Sequence, residues 1–156
     1  MKELILVRHA KSSWESPVAD IDRPLSPAGI ERITAMTKAS ISLFKGVDKV
    51  LSSPANRALH TAVLMMRNAQ LPLTLLQVET ALYTFEAEAV IDFIETLNFE
   101  GKRVVLVGHN PAFTIVANEL GDMSFSHLST AAWAHLRWED NATRANTTLG
   151  NPKMML

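Results

Sequence analysis

The segment Leu4-Ile5-Leu6-Val7-Arg8-His9 is the most informative part of the sequence for the fold, because a short, continuous apolar run is followed directly by two polar side chains. A second stretch, Val104-Val105-Leu106-Val107-Gly108-His109, has the same form. Uninterrupted aliphatic runs of this length are typical of strands buried on both faces, which is how strands of parallel sheets are placed. Both runs are therefore predicted to be central strands.

Weaker patterns extend this interpretation along the chain. Three more strands are predicted, over 47–52, near 73–78 and around 131–138, the last from alternation at period two. Apolar residues at helical spacing predict four helices, over 27–36, 58–66, 90–97 and 113–120. Strands that alternate with helices indicate an α/β fold, a three-layer sandwich with a mostly parallel central sheet flanked by helices.

Composition narrows the class of protein. The chain has 156 residues, a net charge of −1 and no cysteine, which excludes disulfides, thiolate metal sites and a cysteine nucleophile. The length predicts a single domain over 1–156, and the polar, aperiodic residues from about 140 to 156 are interpreted as a loop or loose tail. The near-neutral charge predicts no nucleic-acid or membrane partner. Without a visible leader or span, we expect a cytoplasmic protein, and we expect a monomer.

Polar side chains follow three of the predicted strands. Arg8 and His9 follow the first strand, Arg57 lies in the first helical turn after the strand over 47–52, and His109 follows the strand at 104–107. Each of these residues alone reads as an ordinary loop residue. Ligands of open α/β sheets bind beyond the carboxyl ends of the strands, however, so these positions are also expected to converge. Two guanidinium groups beside two imidazoles suit a phosphoryl group.

Three motifs carry a family resemblance. The sequence LVRHAKSSW over 6–14 resembles the RHG signature of the histidine phosphatase superfamily, which has the phosphoglycerate mutase-like fold. SSPANRALHTA over 52–62 and GHNP over 108–111 are similar to its second and third motifs. The short chain, RHAKSSW over 8–14 and DRPLS over 22–26 are similar to SixA-type phosphohistidine phosphatases. The resemblance extends from residue 4 to about 138.

The resemblance implies a role for each catalytic residue. It implies that His9 is transiently phosphorylated, while Arg8, Arg57 and His109 hold the phosphoryl oxygens. It also implies that Ser12 contributes a hydroxyl contact to the substrate.

Arg23 falls in a stretch that lies near the phosphate pocket in SixA-like members. An equally simple interpretation pairs Arg23 with Asp20 or Asp22. No cofactor is implied, and the spacing of histidines and acidic residues matches no metal motif, so we expect metal-independent hydrolysis.

The resemblance leaves the general acid unassigned. Glu79, Glu86 and Asp22 are candidates, and none stands clearly where the mutases and acid phosphatases of the superfamily place a carboxylate. His60 replaces a glutamine that is usual in the second motif, and we interpret it as a packed or surface residue. A phosphorylated imidazole carries its own proton near neutral pH and leaves without an acid, whereas an alcohol needs one.

The sequence therefore predicts a phosphatase acting on protein phosphohistidine, with a phosphorylated protein such as a histidine-phosphorelay component as its partner. Two alternatives remain open. One is a phosphomonoesterase acting on a small phosphorylated metabolite, and the other is a non-catalytic phosphate-binding regulatory module.

Overall fold

The central sheet has six strands in the order β3-β2-β4-β1-β5-β6. A computed structural model describes residues 1–151 of the chain. The strands are β1 Lys2–Arg8, β2 Lys49–Ser52, β3 Leu76–Val78, β4 Arg103–Gly108, β5 Trp133–Trp138 and β6 Asn146–Gly150. The helices are α1 Pro27–Ala39, α2 Ile41–Lys45, α3 Asn56–Asn68, α4 Ala87–Glu95 and α5 Ala112–Leu120.

Strands β3, β2, β4 and β1 run parallel, while β5 and β6 are antiparallel to their neighbours. Leu4 and Leu6 of β1 face a core shared with α4 and α5, and Ile5 and Val7 face a core shared with α1 and α3. Helices therefore cover both faces of the sheet, which confirms the predicted three-layer sandwich with a mostly parallel sheet.

Local signals explain where several elements begin. Ser26 is the N-cap of α1, since its side chain accepts a hydrogen bond from the backbone N–H of Gly29, and Pro27 takes the first helical position.

Within residues 1–151, no helix is both long and apolar enough to cross a membrane.

The prediction of a loop or loose tail from about residue 140 is wrong for Asn146–Gly150. These residues form β6, which pairs with β5 at the edge of the sheet. An edge strand is solvated along one side, so it needs little apolar sequence, and threonine suits it because its side chain is β-branched. Hydrophobic patterning therefore misses this strand. The remainder of the predicted tail, 152–156, lies outside the described residues.

Candidate active site

The carboxyl ends of β1, β2 and β4 meet at one edge of the sheet, where the predicted site residues lie together. Arg8 ends β1 and His9 follows it, Arg57 is the second residue of α3, and His109 follows β4. The imidazole rings of His9 and His109 have centroids 5.2 Å apart. Both arginine guanidinium groups are close enough to His9 to lower its pKa. The convergence expected from the sequence is thus seen in the structure.

The ring of His9 has a defined neutral tautomer. Its Nδ1 atom lies 2.7 Å from the carbonyl oxygen of Ala10, and a carbonyl only accepts, so Nδ1 carries the proton. The lone pair is therefore on Nε2. Burial is the main cause that lowers the pKa of His9 to about 4, and the charges of Arg57, Arg8 and Arg23 act in the same direction. At neutral pH the ring is uncharged and can act as a nucleophile.

Arg57 is buried and is held by a single aspartate. Only 1 % of the residue is exposed. Its Nη1 donates to the backbone oxygen of Asp20 at 2.7 Å, and its Nη2 donates to Asp20 Oδ2 at 3.0 Å. The hydroxyl of Tyr83 donates to Asp20 Oδ2 at 2.6 Å, and Arg23 Nε donates to Oδ1 at 3.2 Å. The bond from Tyr83 is the main cause that lowers the pKa of Asp20 to about 2, so this carboxylate is ionised.

His109 lies under an aromatic cover. Its Nε2 is 2.8 Å from the hydroxyl of Ser53, and the rings of Tyr83 and Phe85 each lie 5.5 Å from its ring centroid. Burial is the main cause that lowers the pKa of His109 to about 3, with the proximity of His9 next. The second histidine is therefore also neutral.

Three polar nitrogen atoms of the site are buried without a hydrogen-bond partner among residues 1–151. They are Arg8 Nε, Arg57 Nε and His109 Nδ1. Arg8 is otherwise held by its Nη1, which donates to the backbone oxygen of Leu128 at 3.0 Å and lies 3.1 Å from His127 Nε2. Buried polar groups are normally paired, so unpaired ones in a cationic cleft mark a place for an anion.

The two predicted substrate-binding residues contact each other. Arg23 Nη1 donates to Ser12 Oγ at 2.7 Å, and the guanidinium carbon lies 3.5 Å from the ring centroid of Trp14. Arg23 is also paired with Asp20 and lies close enough to His9 to lower its pKa. Arg23 therefore lies near the proposed phosphate pocket and is also paired with Asp20, so the two interpretations of this residue are compatible. Substrate contacts by Ser12 and Arg23 stay predictions.

The three candidates for a general acid differ in their exposure and hydrogen bonding. Glu79 accepts a hydrogen bond from Gln77, while Glu86 and Asp22 are exposed. His60 is half-buried on α3. Within the described part of the chain, no group of three or more histidine, aspartate or glutamate side chains could hold a metal ion.

Sequence reasoning missed four residues that line the site, namely Asp20, Ser53, Tyr83 and Phe85. The sequence offers Asp20 only as a partner for Arg23. Tyr83 and Phe85 lie in the segment after β3 in which other members of the superfamily place a general acid, and this position in the chain is the available signal for them.

One hydroxyl connects the two halves of the site. Thr61 Oγ1 accepts a hydrogen bond from the backbone N–H of Ala10 at 3.0 Å and donates to the backbone oxygen of Arg57 at 2.7 Å. Thr61 is fully buried. The loop that carries His9 is therefore fixed to the helix that carries Arg57.

Comparisons with known proteins agree with this geometry. Residues 4–78 match the family model described as histidine phosphatase superfamily (branch 1). An uncharacterised protein of Mycobacterium tuberculosis, Rv1276c, is 30% identical over 125 residues, which are 80% of this chain and 76% of that protein.

Solved structures are similar as well. A protein of Agrobacterium tumefaciens, provisionally named phosphohistidine phosphatase SixA, has a TM-score of 0.73 at 25% identity, with coverage of 86% of this chain and 91% of its own. The protein histidine phosphatase SixA complexed with tungstate has a TM-score of 0.84 at 20% identity over 99% of both chains.

Proposed function

Because this chain belongs to the histidine phosphatase superfamily (branch 1), we propose that it hydrolyses a phosphoryl group through a covalent phosphohistidine on His9, with protein phosphohistidine as substrate. The family match and the structural neighbours support phosphatase activity. The tautomer of His9 is the observation that carries the choice of nucleophile, because Nδ1 is bound to Ala10 and the lone pair remains on Nε2.

In the first step, Nε2 of His9 attacks phosphorus and the bond from phosphorus to the substrate nitrogen breaks. The electron pair of that bond stays on the departing imidazole, which already has a proton on its other nitrogen and leaves as a neutral ring. His9 keeps its Nδ1 proton and gains the positive charge, which the carbonyl oxygen of Ala10 stabilises. Arg8, Arg57 and His109 hold the phosphoryl oxygens during the transfer.

In the second step, water attacks the phosphorus of phosphorylated His9. The Nε2–phosphorus bond breaks, its electron pair returns to the ring, and dihydrogen phosphate leaves with both protons of the water. His9 is again neutral, with its proton on Nδ1. This step needs no metal and no thiol, which is consistent with a chain that contains no cysteine.

The state of Asp20 supports phosphohistidine as the substrate. Asp20 is the carboxylate bound to Arg57, and its pKa of about 2 leaves it without a proton to give to an alcohol. General acid catalysis contributes about 10²–10⁴-fold to the loss of a poor leaving group. A protonated imidazole needs no such help, so a site with an ionised carboxylate favours it over an ester.

Trapping of the intermediate tests the nucleophile. Wild type and His9→Ala would be mixed with radiolabelled phosphoramidate, quenched in alkali and separated under denaturing conditions. We expect label on wild type that is lost in acid, and no label on the variant. Label that persists in His9→Ala, or label on wild type that survives acid, would overturn the assignment.

A substrate comparison tests the leaving group. The value of kcat/KM would be measured for a phosphohistidine-containing protein and for a panel of alkyl phosphate monoesters. We expect the phosphohistidine protein to be preferred by at least about 10²-fold, the lower limit of the contribution of a general acid. Higher values for the esters would favour the small-molecule phosphomonoesterase instead. Binding of both without turnover would favour the regulatory module.

A further inference from the structure

Two aromatic side chains stand beside the histidine pair, and the proposed reaction does not use them. Tyr83 and Phe85 lie between β3 and α4, and their ring centroids are 5.9 Å apart. Each ring meets the His109 ring edge-on, at 68° for Tyr83 and 67° for Phe85. Phe85 is 47% exposed, although it touches a histidine that is almost fully buried. An exposed phenylalanine at the mouth of a charged site calls for an explanation by ligand contact.

We propose that Phe85 and Tyr83 form a wall that packs against the planar ring of the leaving group, so that the site selects a phosphorylated imidazole among phosphoryl donors. This inference rests on the proposed function and specifies the substrate side of the same site. The residues are specificity-determining ones, because they contact the leaving group and take no part in making or breaking bonds.

Distance places the wall within reach of the substrate. The rings of His9 and His109 contact each other, with centroids 5.2 Å apart, so a phosphoryl group held by both rings lies at their edges and not between them. Phe85 is 5.5 Å from the same His109 ring, which is the separation at which aromatic rings attract each other edge-to-face. Phe85 is half-exposed beside this histidine pair, so a leaving-group ring on the solvent side of the phosphorus is within reach of Phe85.

Charge favours an imidazole ring over other planar groups. A phosphorylated imidazole that carries a proton on its second nitrogen is cationic, and the faces of aromatic rings attract cations. The hydroxyl of Tyr83 is committed to the ionised Asp20, so the wall has a carboxylate directly behind it. The charge of Asp20 is already balanced by Arg57 and Arg23, so the faces of the Tyr83 and Phe85 rings supply the attraction for a cationic ring, which an anionic leaving group does not share.

Two donors with the same type of bond isolate the effect of the ring. Phosphoimidazole and phosphoramidate both contain a phosphorus–nitrogen bond, but only the first has a planar ring. The value of kcat/KM would be measured for both with wild type, Phe85→Ala and Phe85→Leu. Leu73→Ala is the matched control, since Leu73 is a comparably exposed apolar residue before β3, at 58%.

We expect Phe85→Ala to reduce kcat/KM for phosphoimidazole about three- to tenfold more than for phosphoramidate, from the strength of one aromatic contact. Phe85→Leu should behave like Phe85→Ala if ring attraction matters, because leucine retains apolar volume without a π-face. Leu73→Ala should leave the ratio at the wild-type value. Equal losses with both donors, no loss with either, or full rescue by leucine would overturn the wall.

Failure of the wall and failure of the proposed function are distinguishable. If phosphoramidate labels His9 in wild type and in Phe85→Ala, the reaction and the folded site are intact, and an unchanged ratio rejects only the wall. If wild type acquires no acid-labile label from either donor, the proposed function itself fails.

Discussion

Arginine and histidine side chains lie at both ends of the central sheet, but they are paired with carboxylates to different extents. At the carboxyl ends of the strands, Arg57 and His9 belong to a cluster in which buried nitrogen atoms are unpaired. At the amino ends, Arg103 donates to both carboxylate oxygens of Glu3, at 2.7 and 3.1 Å, and to the backbone oxygen of Leu43 at 2.8 Å. His135 Nε2 lies 3.3 Å from Glu3 as well.

The difference lies in what neutralises each arginine. Glu3 balances the charge of Arg103, and both side chains are partly buried. Within residues 1–151, His135 Nε2 is buried without a hydrogen-bond partner at this end too, although it lies 3.3 Å from the carboxylate of Glu3. At the other end Asp20 alone faces Arg57 and Arg23, while Arg8 has no carboxylate partner among the described residues. Residue type and unpaired nitrogen atoms therefore do not separate the two clusters, whereas the balance of charge does, because the carboxyl end has more arginines than carboxylates.

Exchange of the two arginines for glutamine should give the largest contrast in activity. Arg57→Gln is expected to lower kcat/KM by about 10²–10³-fold, because it removes a charge that stabilises the phosphoryl oxygens. Arg103→Gln should leave kcat/KM within about twofold of wild type, as expected of a residue outside the site. Steady-state kinetics with phosphoramidate measures both. Comparable losses in the two variants would erase the distinction between the ends.

The pH dependence of His9 gives the next largest effect. Its pKa is lowered from 6.5 to about 4, so the reactive neutral form is lost only as the pH falls towards 4. At pH 5 a histidine with the ordinary pKa would be only about 3 % neutral, so wild type should react about 30-fold faster than such a residue allows. The rate of His9 labelling between pH 4 and 8 measures this limb.

His135→Gln serves as the control for that profile, because His135 lies at the other end of the sheet and should not move the acid limb. An acid limb near pH 6.5 in wild type would show that neither burial nor the neighbouring arginines lower the pKa of His9.

The stability of the protein should depend on the arginine at the amino ends of the strands, although the effect is smaller than the effects on activity. Arg103→Gln is expected to reduce the free energy of unfolding by about 1–3 kcal/mol at pH 7, because it leaves the carboxylate of Glu3 without its charged partner. The pKa of Glu3 is lowered in the folded state, chiefly by Arg103. The ionised pair therefore contributes above pH 4.5, and the contribution is lost as the pH falls below that value.

Denaturant unfolding at pH 7 and in the range below pH 4.5 tests this contribution. Wild type and Arg103→Gln should converge in acid. A difference that is the same at both pH values would mean that packing, and not the charge pair, is responsible.

The smallest effect on activity is expected from loss of the hydrogen bond between Tyr83 and Asp20. Tyr83→Phe removes the hydroxyl that donates to Asp20, and Asp20 in turn holds Arg57 and Arg23. We expect kcat/KM to fall about two- to twelvefold, since a single hydrogen bond contributes about 0.5–1.5 kcal/mol. A loss as large as that of Arg57→Gln would instead place Tyr83 in the chemical step.

The central strands that lead into the site could be predicted, because runs of consecutive apolar residues indicate strands that are buried on both faces. Leu4 to Val7 and Val104 to Val107 are apolar on both faces, and this is a local property of the sequence. The edge strand β6 has no such signature, because its pairing with β5 depends on backbone hydrogen bonds that almost every residue type except proline can make.

The four central site residues could likewise be predicted from strand ends and motifs, whereas Asp20 could not. Its role depends on the path of the loop between β1 and α1, which brings it to Arg57, 37 positions further along the chain. Loop paths are determined by tertiary contacts and leave little periodic signal. The general-acid roles of Glu79, Glu86 and Asp22 stay predictions, and the structure adds Asp20 as the carboxylate that pairs with Arg57.

The hydroxyl of Thr61 joins the loop that carries His9, the proposed nucleophile, to the helix that carries Arg57, and this has a consequence for the electric field of the site. The field at phosphorus is set by charges and dipoles that are fixed when the chain folds, so they do not reorient as negative charge moves during transfer. Loss of the Thr61 hydroxyl would therefore raise the barrier to phosphoryl transfer, because the dipoles around the phosphorus would have to reorient during the reaction. This effect requires no contact between Thr61 and the substrate.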